Sequence, residues 1–203
     1  WHRLCDSDAL LMLDTPGYFE SRWTSAEFGR ALAKGISVLR VGWPDATPSA
    51  RTATASRAEL LSEEIDTSTG RLADEAVARI CLQLEEVRSQ SHAVRHVNLV
   101  SNLRNAIQTI GGRILGVGAN KAVYIQLPDG QNIVAYPTVG VPTSTTLHDA
   151  STNSPDQSVA VVYDHVGLHP RWLGHLDWLG QHIHSARWVK ASEAGWKFAD
   201  WKA

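Results

Sequence analysis

Glu27 stands four residues after Trp23, and in a helix that spacing puts a carboxylate and an indole on one face, where they meet. Thr24-Ser25-Ala26-Glu27 also has the spacing of a capping box, in which Glu27 would serve only the start of the helix. Both readings stand on the residues alone. Trp43, just past the next apolar run, would open onto the same edge of a sheet. Five of the nine histidines (His165, His169, His175, His182 and His184) fall close together, with Asp164 and Asp177 among them. A metal site needs three or four converging ligands, and neither a His-Glu-x-x-His arrangement nor a cysteine pair is present. Exposed or hydrogen-bonded histidines are therefore expected, and no metal.

Three further signals carry less. Gly116-Val117-Gly118 hints at a dinucleotide fingerprint, but the strand-like Ala122–Leu127 follows where a helix is needed, so it is rejected. Pro142-Thr143-Ser144-Thr145-Thr146 follows a strand and can open a short helix, as a cap or as a holder of an anion. Trp172, Trp178, Trp188, Trp196 and Trp201 crowd the end of the chain. They read as core or interface anchors, with a stacking role on a ligand open for one or two.

The elements that must position these residues follow an α/β pattern. Ala9–Leu13 is an unbroken apolar run, expected as a parallel strand buried on both faces and ended by Asp14-Thr15-Pro16-Gly17. A helix capped at Thr24 carries Phe28, Ala31 and Leu32 and stops at Lys34-Gly35. Ile36–Val41 is a second strand, and residues 45–57 read as a loop. Leu72–Arg88 and His96–Ile110 are two helical patterns ended by Gly111-Gly112. Ala122–Leu127 and Ile133–Val139 flank Pro128-Asp129-Gly130 as a hairpin. Val159–Tyr163 is a buried strand, Pro170 to about His184 a helix, and Arg187–Lys190 a last strand. The domain reading is 1–92, a connecting helix over 93–111, and a small α/β unit over 112–203, with no internal repeat.

Composition sets the outer bounds. Of 203 residues, 43% are hydrophobic and 20% charged, which fits a globular chain that can bury its own core. Nineteen basic against twenty-one acidic residues leave a net charge of −2, so neither nucleic acid nor an anionic membrane is expected as the main partner. No apolar run approaches a membrane span, and two cysteines, Cys5 and Cys81, suit a reducing, cytoplasmic setting.

Read together, residues 8–28 resemble the middle of a Toll/interleukin-1 receptor-like (TIR) domain. They have an apolar strand, a short turn, Tyr18-x-x-Ser21-x-Trp23, and Glu27 four residues on. Ala31…Gly35-Ile36-Ser37-Val38-Leu39-Arg40-Val41-Gly42-Trp43-Pro44-Asp45 extends the likeness into the next strand, and it covers about residues 5–92. Thr24 stands where many members of the family carry Cys. The family's first two strands and pocket-closing loop would precede Trp1. The resemblance implies the C-terminal half of a flavodoxin-like parallel sheet. It also implies cleavage of the nicotinamide–ribose bond of NAD+, with NAD+ as substrate and no cofactor. Glu27 matches the catalytic position, and Trp23 and Trp43 would bind substrate. One carboxylate suffices because nicotinamide leaves from a cationic pyridinium and needs no general acid, unlike an ordinary glycoside leaving group.

These expectations describe an NAD+ glycohydrolase acting as an immune or abortive-infection effector, antiviral in role and activated by homo-oligomeric assembly through TIR-like contacts. Two alternatives from other classes stay open. One is a catalytically inactive adaptor. The other is a sensor whose residues 112–203 take an activating ligand or protein, with Thr143–Thr145 and Asp164–His165 converging at its strand ends.

Overall fold

The computed structural model describes Leu4, residues 7–165, Leu168 and residues 170–201. It divides into two units, the first through Ala93 and the second from Val94.

The first unit is α/β. Strands β1 (Ala9–Asp14), β2 (Ser37–Gly42) and β3 (Ser56–Glu59) form one parallel sheet in that order, with helix α1 (Arg22–Ala33) between β1 and β2. Parallel register partners point to the same face. Leu10, Met12 and Val38 therefore share one face, and α1 covers it through Phe28 and Ala31. Leu39 and Val41 point the other way and pack with Ala58, Leu60 and the Ala76, Ile80 and Val87 side chains of helix α2 (Asp74–Thr109).

Strand β1 is buried on one face only, contrary to the two-sided burial expected of it. Met12 is fully buried, whereas Leu11 and Leu13 are 40% and 48% exposed. Among the described residues β1 is the edge of its sheet, so these two leucines lack the cover that their register partners Leu39 and Val41 receive. Strand β3 falls at the end of what reads as a loop, because Ala58 is its one buried side chain.

Helix α1 begins three residues earlier than the capping pattern suggests. Ser21 is the N-cap, with no side-chain cap bond. Thr24 is already inside the helix, and its hydroxyl donates back to the carbonyls of Tyr18 and Ser21. The helix ends as expected at Lys34-Gly35. Gly35 takes a left-handed φ of 64°, its N–H donates to Leu32, and the Ile36 N–H donates to Ala31 at 2.9 Å, the two bonds of a Schellman ending.

The two helical patterns at 72–88 and 96–110 are one uninterrupted 36-residue helix, α2. Ser91, fully buried at the middle of that span, accepts a hydrogen bond from the Ser37 N–H.

The second unit holds a mixed five-stranded sheet, ordered β4 (Arg113–Val117), β5 (Val123–Gln126), β6 (Asn132–Thr138), β7 (Ser158–Tyr163) and β8 (Arg187–Lys190). The first two pairings are antiparallel and the last two parallel. Helices α3 (Ser144–Asn153) and α4 (Pro170–His182) make the parallel crossovers, and α5 (Ala194–Ala199) follows β8. One face of this sheet buries Ile125, Ile133 and Val162 with Leu103, Ile107, Phe198 and Trp201. The other buries Val134 and Val161 with Leu147 and Ala150 of α3. The hairpin turns at Pro128-Asp129-Gly130, closed by the Leu127 N–H on Gln131 at 2.8 Å. Gly116 and Val117 lie in β4, an edge strand.

Candidate functional site

At the carboxyl ends of β1 and β2 the first unit opens into a cavity of about 480 Å³, lined by residues that include Asp14, Tyr18, Phe19, Glu20, Asp45 and Ser49. This is the edge where open parallel sheets take ligands. One of its lining residues, Asp14, is tied to a charge that the apolar strand Val38–Val41 carries inward. Arg40 is 1% exposed and Asp14 3%, and the Arg40 Nε donates to the Asp14 carboxylate at 2.5 Å. The other arm of the guanidinium donates to Glu59 at the end of β3, also at 2.5 Å. A carboxylate–guanidinium–carboxylate line thus crosses all three strands. Gly42 makes room for it, since a Cβ there would stand 1.8 Å from Glu59 Oε2 and 2.9 Å from Arg40 Nη2.

Tyr18, in the cavity lining, feels both Asp14 and Glu27. The Tyr18 hydroxyl is pushed up from its ordinary pKa, first by burial and then by the charges of Glu27 and Asp14. Both carboxylates therefore act on one phenol beside the cavity. Glu27 is exposed, and the capping box that would have occupied it is not formed. The Arg51 guanidinium lies 5.5 Å from the ring of Phe19, a residue of the cavity wall.

The three residues singled out by spacing do not converge. Trp23 and Glu27 lie on α1, where Trp23 is 70% exposed, and neither lines the cavity. Trp43 continues the alternation of Leu39 and Val41 and packs half-buried against the α2 side of the sheet. That is the face opposite the one α1 covers. Its backbone N–H, not its ring, reaches this edge, donating to the Asp14 carbonyl at 3.1 Å. Sequence reasoning passed over Asp14, Tyr18, Arg40 and Glu59. The available signal was Arg40, a charge inside an apolar strand, which needs a buried partner.

In the second unit the expected convergence of Thr143–Thr145 with Asp164–His165 is not found. Thr143 and Thr146 form a reciprocal cap on α3, each side chain bonded to the other's backbone N–H. They border a cavity of about 430 Å³ whose described lining does not include Asp164 or His165. His165 holds its Nε2 3.5 Å from Ser192 Oγ, and its Nδ1 is buried without a partner among the described residues. His175 and His182 stack on the two sides of Trp178 in sequence, with centroids at 6.3 and 4.3 Å. His169 and Cys5 lie outside the described residues. Among the described residues no group of three or more His, Cys, Asp or Glu could hold a metal ion, and no helix is long and apolar enough to cross a membrane.

The order around α1 has a counterpart here. Strand β7 runs into Asp164, α4 opens Pro170-Arg171-Trp172, and β8 then pairs parallel to β7. Asp14, Arg22-Trp23 of α1 and the parallel strand β2 have the same arrangement. Four residues after Trp172, however, stands the buried Leu176, so this strand-helix-strand unit carries no carboxylate at the place Glu27 holds in the first. Neither a protein-family model, nor a curated protein, nor a solved structure matches this chain.

Proposed function

We propose that the first unit is the C-terminal half of a TIR-type domain that cleaves the nicotinamide–ribose bond of NAD+, with Glu27 as the catalytic carboxylate, in an immune or abortive-infection effector that acts when assembled. The observation that carries this reading is the state of Glu27. It is exposed, does not cap its helix, and adds its charge to that of Asp14 on Tyr18 beside the cavity at the strand ends.

In this reading Glu27 accepts hydrogen bonds from the ribose hydroxyls and stabilises positive charge as the C1′–N bond breaks. The bonding pair leaves with the pyridinium nitrogen, releasing neutral nicotinamide. Water adds its oxygen to C1′ and gives up a proton, so the products are ADP-ribose, nicotinamide and H+. Trp23 stands one turn before Glu27 and packs against substrate, and Arg51 meets the pyrophosphate. Trp43 supports the wall through the core instead of stacking on nicotinamide.

Nicotinamide release by the assembled protein tests this. Glu27→Gln keeps size and hydrogen-bond acceptance, so it isolates the charge, and a loss of about 100-fold or more in turnover is expected. Because no capping bond is lost, its unfolding midpoint should stay at the wild-type value. Wild-type turnover in Glu27→Gln removes Glu27 from the mechanism.

A second reading, a TIR-like assembly module without activity, is favoured by β1, the edge strand among the described residues, on which Leu11 and Leu13 are exposed. It calls for self-association that Leu13→Asp abolishes, with no nicotinamide released at any concentration.

A further inference from the structure

The cavity of the first unit takes part of its wall from a single turn of 3-10 helix, Tyr18–Glu20, all three residues of which line it. The turn follows Gly17, whose φ of 80° is left-handed. A turn of three residues leaves its last carbonyls without a helical partner. Two consecutive side chains of α1 reach back six residues to take them. The Thr24 hydroxyl donates to the Tyr18 carbonyl, and the Ser25 hydroxyl donates to the Phe19 carbonyl at 3.0 Å. Ring packing completes the join, since Phe19 meets Tyr18 and the buried Phe28 of α1 edge-on, with centroids at 5.1 and 5.4 Å.

Serine and threonine at the start of a helix ordinarily accept hydrogen bonds from its free N–H groups. Thr24 and Ser25 do the reverse. Both are half-buried, and both spend their hydroxyl protons on carbonyls of the cavity wall. Neither side chain lines the cavity itself, so each acts through the wall. Glu27 follows within the same helical turn, and a helix is rigid over that distance. A wall bonded to Thr24 and Ser25 therefore stands at a fixed place relative to the Glu27 backbone.

We propose that Thr24 and Ser25 are positioning residues, whose hydroxyls hold the Tyr18–Glu20 turn in register with Glu27 and so set where NAD+ lies when its glycosidic bond breaks. The proposal rests on the reading of Glu27 given above, and it adds the two groups that fix the geometry of that site.

Nicotinamide release by the assembled protein, with KM for NAD+ and kcat read separately, tests it. Thr24→Val with Ser25→Ala removes both hydroxyls and little else. Because small misplacements at a reacting centre are costly, kcat/KM should fall by about tenfold or more, with KM raised. A mere loss of folded protein would lower kcat and leave KM where it was. Thr24→Ser with Ser25→Thr keeps both hydroxyls and should restore the wild-type values. A second readout needs no turnover. The Tyr18 hydroxyl is pushed up by burial and by the charges of Glu27 and Asp14, so freeing its turn should bring its ionisation back down. Tyrosinate absorbance, taken in each background as the difference from a Tyr18→Phe partner, reads that change. Wild-type protein that releases no nicotinamide removes the reading of Glu27 and this proposal with it. Release that depends on Glu27 but not on the two hydroxyls overturns the proposal alone. So does an equal loss in the variant that keeps both hydroxyls, or a Tyr18 that ionises at the same pH with and without them.

Discussion

Asp14→Ala should be among the most destabilising single changes in the first unit, and the geometry gives the size of the effect. Arg40 is 1% exposed and Asp14 3%, and they meet at 2.5 Å. Removing one partner of a buried pair leaves the other charge uncompensated, which costs about 3–5 kcal/mol. The side chain of Glu59, 55% exposed, still holds the far end of the guanidinium, so the lower end of that range, about 3 kcal/mol, applies here. Glu59→Gln keeps an acceptor and removes only a solvent-screened charge, for about 0–1 kcal/mol. Replacing both buried partners, as Asp14→Leu with Arg40→Met, removes the desolvated charges altogether and should recover at least about 2 kcal/mol of the single-variant loss. Urea unfolding, read by tryptophan fluorescence and far-UV circular dichroism, gives each value from the midpoint at constant slope. An Asp14→Ala loss under about 1 kcal/mol, or a double variant as unstable as the sum of its parts, would refute the assignment of this pair as a structural charge line.

Two pH predictions follow from hydrogen bonding and burial. Asp66 accepts from the Ser68 and Thr69 hydroxyls at 2.6 and 2.8 Å and from the Ser68 N–H, which hold its pKa down to about 2. A depressed carboxylate stabilises the fold above its unfolded pKa and loses that contribution as pH falls from about 4 towards 2. Carbon NMR should show the Asp66 titration near the lower value, and Ser68→Ala should raise it; an ordinary aspartate midpoint in the wild type would contradict the geometry. Tyr163 is pushed up to about 12 by burial and by the charges of Asp177 and Glu193. Its raised pKa favours the folded state below about 10, and that contribution is lost as pH rises towards 12. Ultraviolet absorbance of tyrosinate should include a late component that Tyr163→Phe removes, and a Tyr163 ionising near 10 would contradict it.

Apolar pattern made much of the fold legible. The strands expected at Ala9–Leu13, Ile36–Val41, Val159–Tyr163 and Arg187–Lys190 and the hairpin at Pro128-Asp129-Gly130 are found where apolar runs and turn residues place them. Strands β3 and β4 were not legible. Ser56–Glu59 buries only Ala58 and so presents no apolar run, and in Arg113–Val117 the short run Ile114-Leu115-Gly116-Val117 is broken by Gly116 and turns Leu115 and Val117 outward at the sheet edge. The break expected near residue 90 is likewise absent. Nothing between Arg88 and His96 stops a helix, and the buried Ser91 finds its partner across the fold on Ser37.

The candidate site was legible on one side of the sheet only. Four-residue spacing puts Trp23 and Glu27 on one helix face, but it does not say which face of the sheet that helix covers. That is decided by parity along β1 and β2. Met12 and Val38 lie under α1, while Leu39, Val41 and, one step further, Trp43 face α2. Trp43 therefore sits across the sheet from Glu27, and counting from Leu39 would have placed it there. The same alternation explains Arg40. It falls on the α1 face beside Met12, where an apolar residue is expected, and it is tolerated because Asp14 ends the neighbouring strand and Gly42 leaves room for Glu59. A charge on the core-facing parity of a strand, followed two residues later by glycine on the same face, is the sequence form of such a line. It marks the strand end at which the cavity opens.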